Sequence, residues 1–361
     1  MADTTAMPPS SSGLVKLRGR LAALPRNLIQ DYAALLVGQV GRLFCSMVYF
    51  VLLARALTLE EFGLFATASS IGVVLSRIAG LGFISPLYRV ATIRPQLIGA
   101  YTAGLLVAVA ASLPIVAGIA AILYFALYSG AVSLSTFAII LAAEIIAWRG
   151  LEAVIIVQNG IGRFRTGALL SIAGVAIKAV AVLAFVLSGG GDLDRWAPFY
   201  LAGISLVLLV GAVRCHPRQK LRWRPKAWVG RIRDALGVSA AEALFYTQSE
   251  LDKVLVLAIG GEAAAGLYAI LMRLVDLTAT PMRAANTMIV QAIMRKRKTH
   301  ANQAPPLWID PIIALVSVGA LIALAVLLWL TPGVLGENIT MASAYVLPVL
   351  LVPAFRNAIE Y

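Results

Sequence analysis

A chain of 361 residues that is 60% hydrophobic and 13% charged, with a mean hydropathy of +0.89, carries more apolar surface than one water-soluble core of that size hides. Apolar runs of roughly 20 residues, enough to cross a bilayer core, recur nearly end to end, and the alternating strands of a membrane barrel are missing. The net charge of +13 is sorted by connection: 20 of the 30 Lys and Arg fall in alternate connections and two in the others, which is positive-inside topology and argues against a nucleic-acid surface.

The chain is therefore predicted to be all-α and polytopic. Residues 1–27 open with a Ser- and Pro-rich stretch followed by Lys16, Arg18, Arg20 and Arg26, expected to form a cytoplasmic basic segment on the inner membrane surface. About ten transmembrane helices follow, near 33–53, 64–87, 98–125, 131–157, 167–187, 196–213, 236–259, 264–290, 307–330 and 336–357. The first six make one bundle over 28–213. A basic cytoplasmic linker with Trp223 and Trp228 spans 214–234, and a second bundle occupies 235–361. The connections with Arg89 and Arg94, Arg163 and Arg165, the linker, and Arg295 to Lys298 are expected inside; those with Arg55, Glu60 and Glu61, with Asp192 and Asp194, with Glu262 and with Glu337 outside.

The absences are informative. Cys45 should lie mid-helix and Cys215 in the linker, so no disulfide is expected. His216 and His300 both fall in basic connections, and neither suggests a metal site. No Gly-x-x-x-x-Gly-Lys-Ser/Thr sequence occurs, so nucleotide hydrolysis of the P-loop kind is not expected, and no cofactor is predicted.

One stretch occurs twice. Val51–Ala66 (VLLARALTLEEFGLFA) and Val254–Ala269 (VLVLAIGGEAAAGLYA) align without gaps at an offset of 203, with Val51, Leu52, Gly63, Leu64 and Ala66 on identical residues and Phe65 on Tyr268. Each copy joins two long apolar segments and follows a basic stretch, the pattern of a chain built from two similar halves.

With six spans before a basic loop, a seventh helix carrying Asp252 near its outer end, and the GLYA restart, the chain resembles the Wzx-type polysaccharide flippases of the multidrug/oligosaccharidyl-lipid/polysaccharide exporter superfamily. The resemblance covers about residues 25–361 and is sharpest at 51–66 and 250–276. It implies a bacterial cytoplasmic (inner) membrane protein with a cytoplasmic N-terminus. Such a protein translocates undecaprenyl-pyrophosphate-linked oligosaccharide from the inner to the outer leaflet for exopolysaccharide, capsule or O-antigen biosynthesis. Membrane lipid, a polysaccharide polymerase and export proteins would be its partners, with protons or sodium as possible coupling ions. Family members have twelve or fourteen spans; here the second bundle has four, so the chain is expected to be C-terminally incomplete. The alternatives are a cation-coupled small-molecule or drug antiporter of the same superfamily and a non-transporting membrane scaffold. A polymerase or ligase is disfavoured by the short external connections, and no enzymatic activity is expected.

Charges inside spans mark the site, because each costs about 2.5–3.5 kcal/mol at mid-helix. Arg42, Arg77, Lys178, Lys253, Arg273 and Arg283 are the candidates for binding a diphosphate, through charge and directional donors. The resemblance adds that arginines of the first, second and eighth helices serve a cationic cavity in related flippases, which favours Arg42 and Arg77. Gln39, Glu144, Glu152, Glu242, Asp252 and Asp276 are the cavity or ion-coupling candidates. Helical spacing lines up Gln39, Arg42, Ser46 and Tyr49; Arg273, Asp276, Thr280 and Arg283; and Glu242, Tyr246, Ser249 and Lys253. Three such stripes would line a polar cavity with a surplus of cations. The rival reading is that pairs such as Arg149–Glu152 and Arg273–Asp276 only neutralise each other.

Overall fold

In the computed structural model the described residues are 26–297 and 337–343, with isolated positions between 318 and 352; within the helices, the side chains of 26–40, 227 and 277–297 lie outside them. All regular structure among the described residues is helical. In chain order the helices are α1 (Arg26–Ala56), α2 (Leu59–Ile78), α3 (Ile84–Ile93), a 3-10 turn (Pro95–Leu97), α4 (Ile98–Leu127), α5 (Leu134–Ala142), a π-helical turn (Ala143–Trp148), α6 (Arg149–Gly160), α7 (Phe164–Leu187), α8 (Leu193–Arg214), α9 (Pro225–Arg297) and α10 (Glu337–Ser343). Among the described residues, five stretches, within Leu59–Ile78, Pro95–Leu127, Phe164–Leu187, Leu193–Arg214 and Trp228–Asp276, are long and apolar enough to cross a membrane. Their outer faces support that reading. The most apolar window of Pro95–Leu127 has only 22% of its residues buried within the chain, and Leu106, Ile115, Ile122 and Phe125 point outward from it. Water would not tolerate so continuous an apolar face.

The helix starts follow local chemistry. Thr58 and Glu61 form a capping box before α2: Thr58 Oγ1 accepts from the Glu61 N–H at 3.2 Å, and a Glu61 carboxylate oxygen accepts from the Thr58 N–H at 3.0 Å, so two otherwise orphaned donors are satisfied. The other Glu61 oxygen accepts from the Leu193 N–H at 3.2 Å, which ties this connection to the start of α8. There Asp192 caps the helix through the Arg195 N–H, and Asp194 accepts from Ser133 and Thr136. At the far end of α1, the Asn338 amide donates to the carbonyls of Ala54 and Leu57 at 2.8 and 3.1 Å, filling acceptors that a helix C-terminus leaves open.

Three predicted boundaries change. The second span, expected to run over 64–87, stops at Ile78. Gly80, Leu81 and Gly82 all take positive φ, and the chain restarts as the amphipathic α3, with Leu87 and Ala91 buried and Tyr88 and Arg89 exposed. A Cβ on Gly82 would lie 2.1 Å from the Ala235 carbonyl oxygen, so this turn exists to bring the first bundle's backbone onto α9. The connection expected between the seventh and eighth spans contracts to Gly261 (φ 78, ψ −174), a conformation open mainly to glycine, with helix on both sides. The predicted linker is two structures: 216–224 is non-helical, and the helix starts at Pro225, a residue suited to a first helical position.

The non-helical half of the linker is docked. The Gln219 side chain accepts from the Gly99 N–H at 2.9 Å and donates to the Pro95 carbonyl at 2.8 Å, and His216 Nε2 lies 3.2 Å from Thr102 Oγ1. Burial pushes the His216 imidazole below the usual histidine range. The docked linker therefore resists a proton that the free linker accepts, so docking is full above pH ~6.5 and weakens as pH falls below it. Amide exchange over 215–224 is expected to be faster in the wild type than in H216Q at pH ~5.5 and equal at pH ~7.5. Matching rates at both would show that His216 does not titrate this contact.

The repeated stretch is the seam between the two parts of the chain. A Cβ on Gly63 would lie 2.4 Å from the Glu262 carbonyl oxygen and 2.5 Å from the Gly266 nitrogen, and one on Gly266 would lie 2.1 Å from the Leu59 carbonyl oxygen. Gly63 and Gly266 are equivalent positions of the two copies, and so are Leu59 and Glu262. Each glycine thus packs on the other copy's helix start, in a reciprocal, two-fold-like contact. Only hydrogen at Cα permits such an approach.

Candidate functional site

Beside the Gly63–Gly266 crossing opens a cavity of about 380 Å³, which runs along α2 from Phe62 to Val73. The small residues of α2 shape it. Ala66, Ser69 and Ser70 line it, while Gly72, where a Cβ would sit 2.8 Å from the Glu144 Cβ, lets the π-helical turn close in. In that turn the Arg149 N–H bonds to the Glu144 carbonyl, five residues back. The extra residue rotates the downstream helix by about 100° relative to an unbroken α-helix. Glu144 faces the cavity, and Arg149 faces a separate polar cluster.

Among the described residues, four cations and three carboxylates line the cavity: Arg42 and Lys178 from the first bundle, Lys253 and Arg273 from α9, and Glu144, Glu250 and Asp276. Lys178 and Lys253 each meet a carboxylate. The Lys178 ammonium donates to the Tyr200 hydroxyl at 2.9 Å, lies 3.9 Å from the Glu144 carboxylate, and sits over the Trp148 and Tyr200 rings, 4.3 and 5.0 Å from their centroids. Ser69 at 2.7 Å and Tyr200 also donate to Glu144. Thus Lys178 is held by the rings and acceptors a buried ammonium requires. Lys253 donates to Glu250, which also accepts from Ser70 at 2.6 Å.

Hydrogen bonds across the seam repeat its symmetry. Arg273 donates to Ser46, and Ser70 donates to Glu250. At the offset of 203, Ser70 corresponds to Arg273 and Ser46 to Ser249, the neighbour of Glu250. The α1 stripe keeps its face: Arg42, Ser46 and Tyr49 all line the cavity. Arg273 and Asp276 do the same on α9. The side chains of Gln39, Thr280 and Arg283 lie outside the described residues.

The third predicted stripe divides. Lys253 reaches the cavity, Ser249 turns back to the Phe245 carbonyl, and Glu242 and Tyr246 join the second cluster. Arg77 does not line the cavity. Its guanidinium donates to both Glu152 oxygens at 2.9 and 3.2 Å and lies 4.1 Å from the Tyr246 ring centroid. Arg149 bridges Glu152 at 2.6 Å and Glu242 at 2.8 Å. Both guanidiniums belong to residues only 5% exposed, and Ser239 donates to the Arg77 carbonyl at 2.8 Å. The expected Arg149–Glu152 pair is present, but it belongs to a four-charge cluster joining α2, α6 and α9. Asp252 also lies off the cavity and accepts from the Tyr268 hydroxyl and the Lys253 N–H, both at 2.8 Å.

Among the described residues the cations lining the cavity outnumber the carboxylates by one. Among the groups that shape it, Tyr200, Trp148, Ser69 and Ser70 carry no sequence pattern of their own. A mid-span Lys178 demands partners, and the nearest signal was the polar residue of each neighbouring span. Comparisons with protein-family models, with curated proteins and with solved structures return no match.

Proposed function

We propose that this chain is a membrane transporter for an amphiphilic anion, and specifically a flippase for an undecaprenyl-pyrophosphate-linked oligosaccharide. The observation that carries the reading is the cavity at the seam of the repeats, supplied with cations from both sides of it: Arg42 and Lys178 from one, Lys253 and Arg273 from the other. A volume of about 380 Å³ falls within the range of small-ligand sites, about 300–1,000 Å³. That is enough for a charged head group whose lipid tail stays in the bilayer. The nature of the passenger comes from the resemblance at 51–66 and 250–276. In this reading, alternating access works the Gly63–Gly266 seam against the Arg149–Glu242 bridge, so that one parts while the other holds.

The test is the leaflet in which the lipid-linked oligosaccharide collects in cells lacking the gene, and then in cells given it back. Inner-leaflet accumulation relieved by the wild-type chain is expected. R42A and R273A should each reduce export by about tenfold or more at unchanged membrane abundance, since a charge-assisted hydrogen bond to phosphate contributes roughly 1.5–3 kcal/mol. Normal export by both variants would remove the site assignment. Absence of accumulation in the deletion strain, with no redundant transporter, would remove the function. The three carboxylates lining the cavity favour a cation-coupled antiporter as the second reading, which predicts drug sensitivity in the deletion strain instead.

A further inference from the structure

A second hollow shares no lining residue with the cavity and draws its cations from two of the basic connections. It measures about 480 Å³ and is walled by α3 and the start of α4 on one side and by the first turns of α9 on the other. Arg89 and Arg94 enter it from the first bundle and Arg231 from the second. Among the described residues the one carboxylate in its wall is Asp234, 3.7 Å from Arg231. Arg89 and Arg94 make no ion pair among the described residues, and both are exposed. The wall beneath the arginines is apolar, with Val90, Ile93, Leu97 and Val238, and Tyr101 adds a hydroxyl. Ile93 is exposed beside it.

Three guanidiniums around one hollow, offset by one carboxylate, call for an anion with several acceptor oxygens, and a phosphate matches their fork geometry. The apolar wall calls for a ligand that is not only a phosphate. Arginines at the inner face of a membrane protein usually serve topology alone and need share no site. Here two separated parts of the chain deliver them to a common hollow, and Gly82 allows the backbone contact with Ala235 that holds its walls together. We infer that this hollow binds an anionic phospholipid of the surrounding leaflet. The headgroup phosphate lies among Arg89, Arg94 and Arg231, and the upper acyl chain lies against Val90, Ile93 and Val238. A lipid seated there touches both parts of the chain and stabilises the arrangement in which α3 and α9 are close. The inference needs the chain to lie in a membrane but is independent of what the chain transports.

The experiment is thermal unfolding of the purified, delipidated full chain in a neutral detergent, with phosphatidylglycerol or phosphatidylcholine added at matched acyl length. Phosphatidylglycerol should raise the unfolding temperature at concentrations on the order of tenfold lower than phosphatidylcholine requires, given net attraction from two or more cations near a surface. The triple variant R89Q/R94Q/R231Q should lose that preference, whereas R163Q/R165Q, which removes exposed arginines of another basic connection, should keep it. Equal effects of the two lipids on the wild type would overturn the inference. So would a preference that survives in the triple variant, or one lost in both variants alike, which marks diffuse attraction. A stabilisation reproduced by inorganic phosphate at matched ionic strength would assign the hollow to a free anion and remove the lipid.

Discussion

Replacing Gly63 or Gly266 by alanine is expected to cost about 3 kcal/mol of stability in each case, the upper end of ordinary overpacking. The new Cβ would meet backbone atoms at 2.1–2.5 Å, and backbone, unlike a side-chain tip, has no rotamer to move into. The helix starts would have to separate by about 1 Å before the contact became tolerable. The reciprocity of the packing sharpens the expectation. Once one substitution has parted the helices, the second meets less resistance, so G63A/G266A should cost less than the sum of the single variants. Gly118 is the control, because it lies inside α4 with nothing within 4 Å of where a Cβ would stand; G118A should be neutral or stabilising by about 0.5–1 kcal/mol. Thermal unfolding in detergent, followed by the monodisperse fraction on size exclusion, reads all four. Wild-type stability in G63A would mean that the seam is not a tight contact.

The second large effect is expected at Arg149. R149L strands Glu242 and takes from Glu152 one of its two cations, in a site where the guanidinium itself is only 5% exposed. Breaking a buried pair from one side is strongly destabilising, because the remaining charge stays desolvated. About 3 kcal/mol is expected, the low end of that range, since the Glu242 side chain keeps 35% of its exposure. E242Q alone should cost less, about 1 kcal/mol, for Arg149 still has Glu152. Adding E242Q to R149L should then return part of the loss: the stranded carboxylate is gone, and Arg77 continues to hold Glu152 at 2.9 Å. If the double variant were less stable than R149L, the cluster would not be acting through its charge balance.

Local chemistry made much of this molecule legible in its sequence. The apolar runs set the helices, because each must satisfy its own backbone hydrogen bonds where water is scarce. The stripe of Arg42, Ser46 and Tyr49 faces one cavity because an unbroken helix preserves its spacing. The duplicate of 51–66 at 254–269 pointed to two related parts, and the glycine shared by both copies turns out to be where they touch. That Gly63 and Gly266 belong together was readable as a repeat; that they are in contact was not, because reciprocity is a property of packing.

Tertiary structure decided the rest wherever a side chain had more than one available partner. Arg77 and Arg42 are alike as sequence features, both cations near the middle of apolar spans. Only the placement of Glu152 and Tyr246 drew Arg77 into a closed cluster while Arg42 stayed on the cavity. The Glu242-to-Lys253 stripe divided because its face of α9 meets the four-charge cluster at one end and the cavity at the other. The π-helical turn at Ala143–Trp148 shows the same limit locally: one extra residue resets the helical register, so positions after the turn face about 100° from where an unbroken α-helix would put them. Helical periodicity assumes a constant rotation per residue, so it had no means of marking that change. A span is encoded by its own residues, whereas the charge on a cavity wall depends on which neighbours reach each ion first.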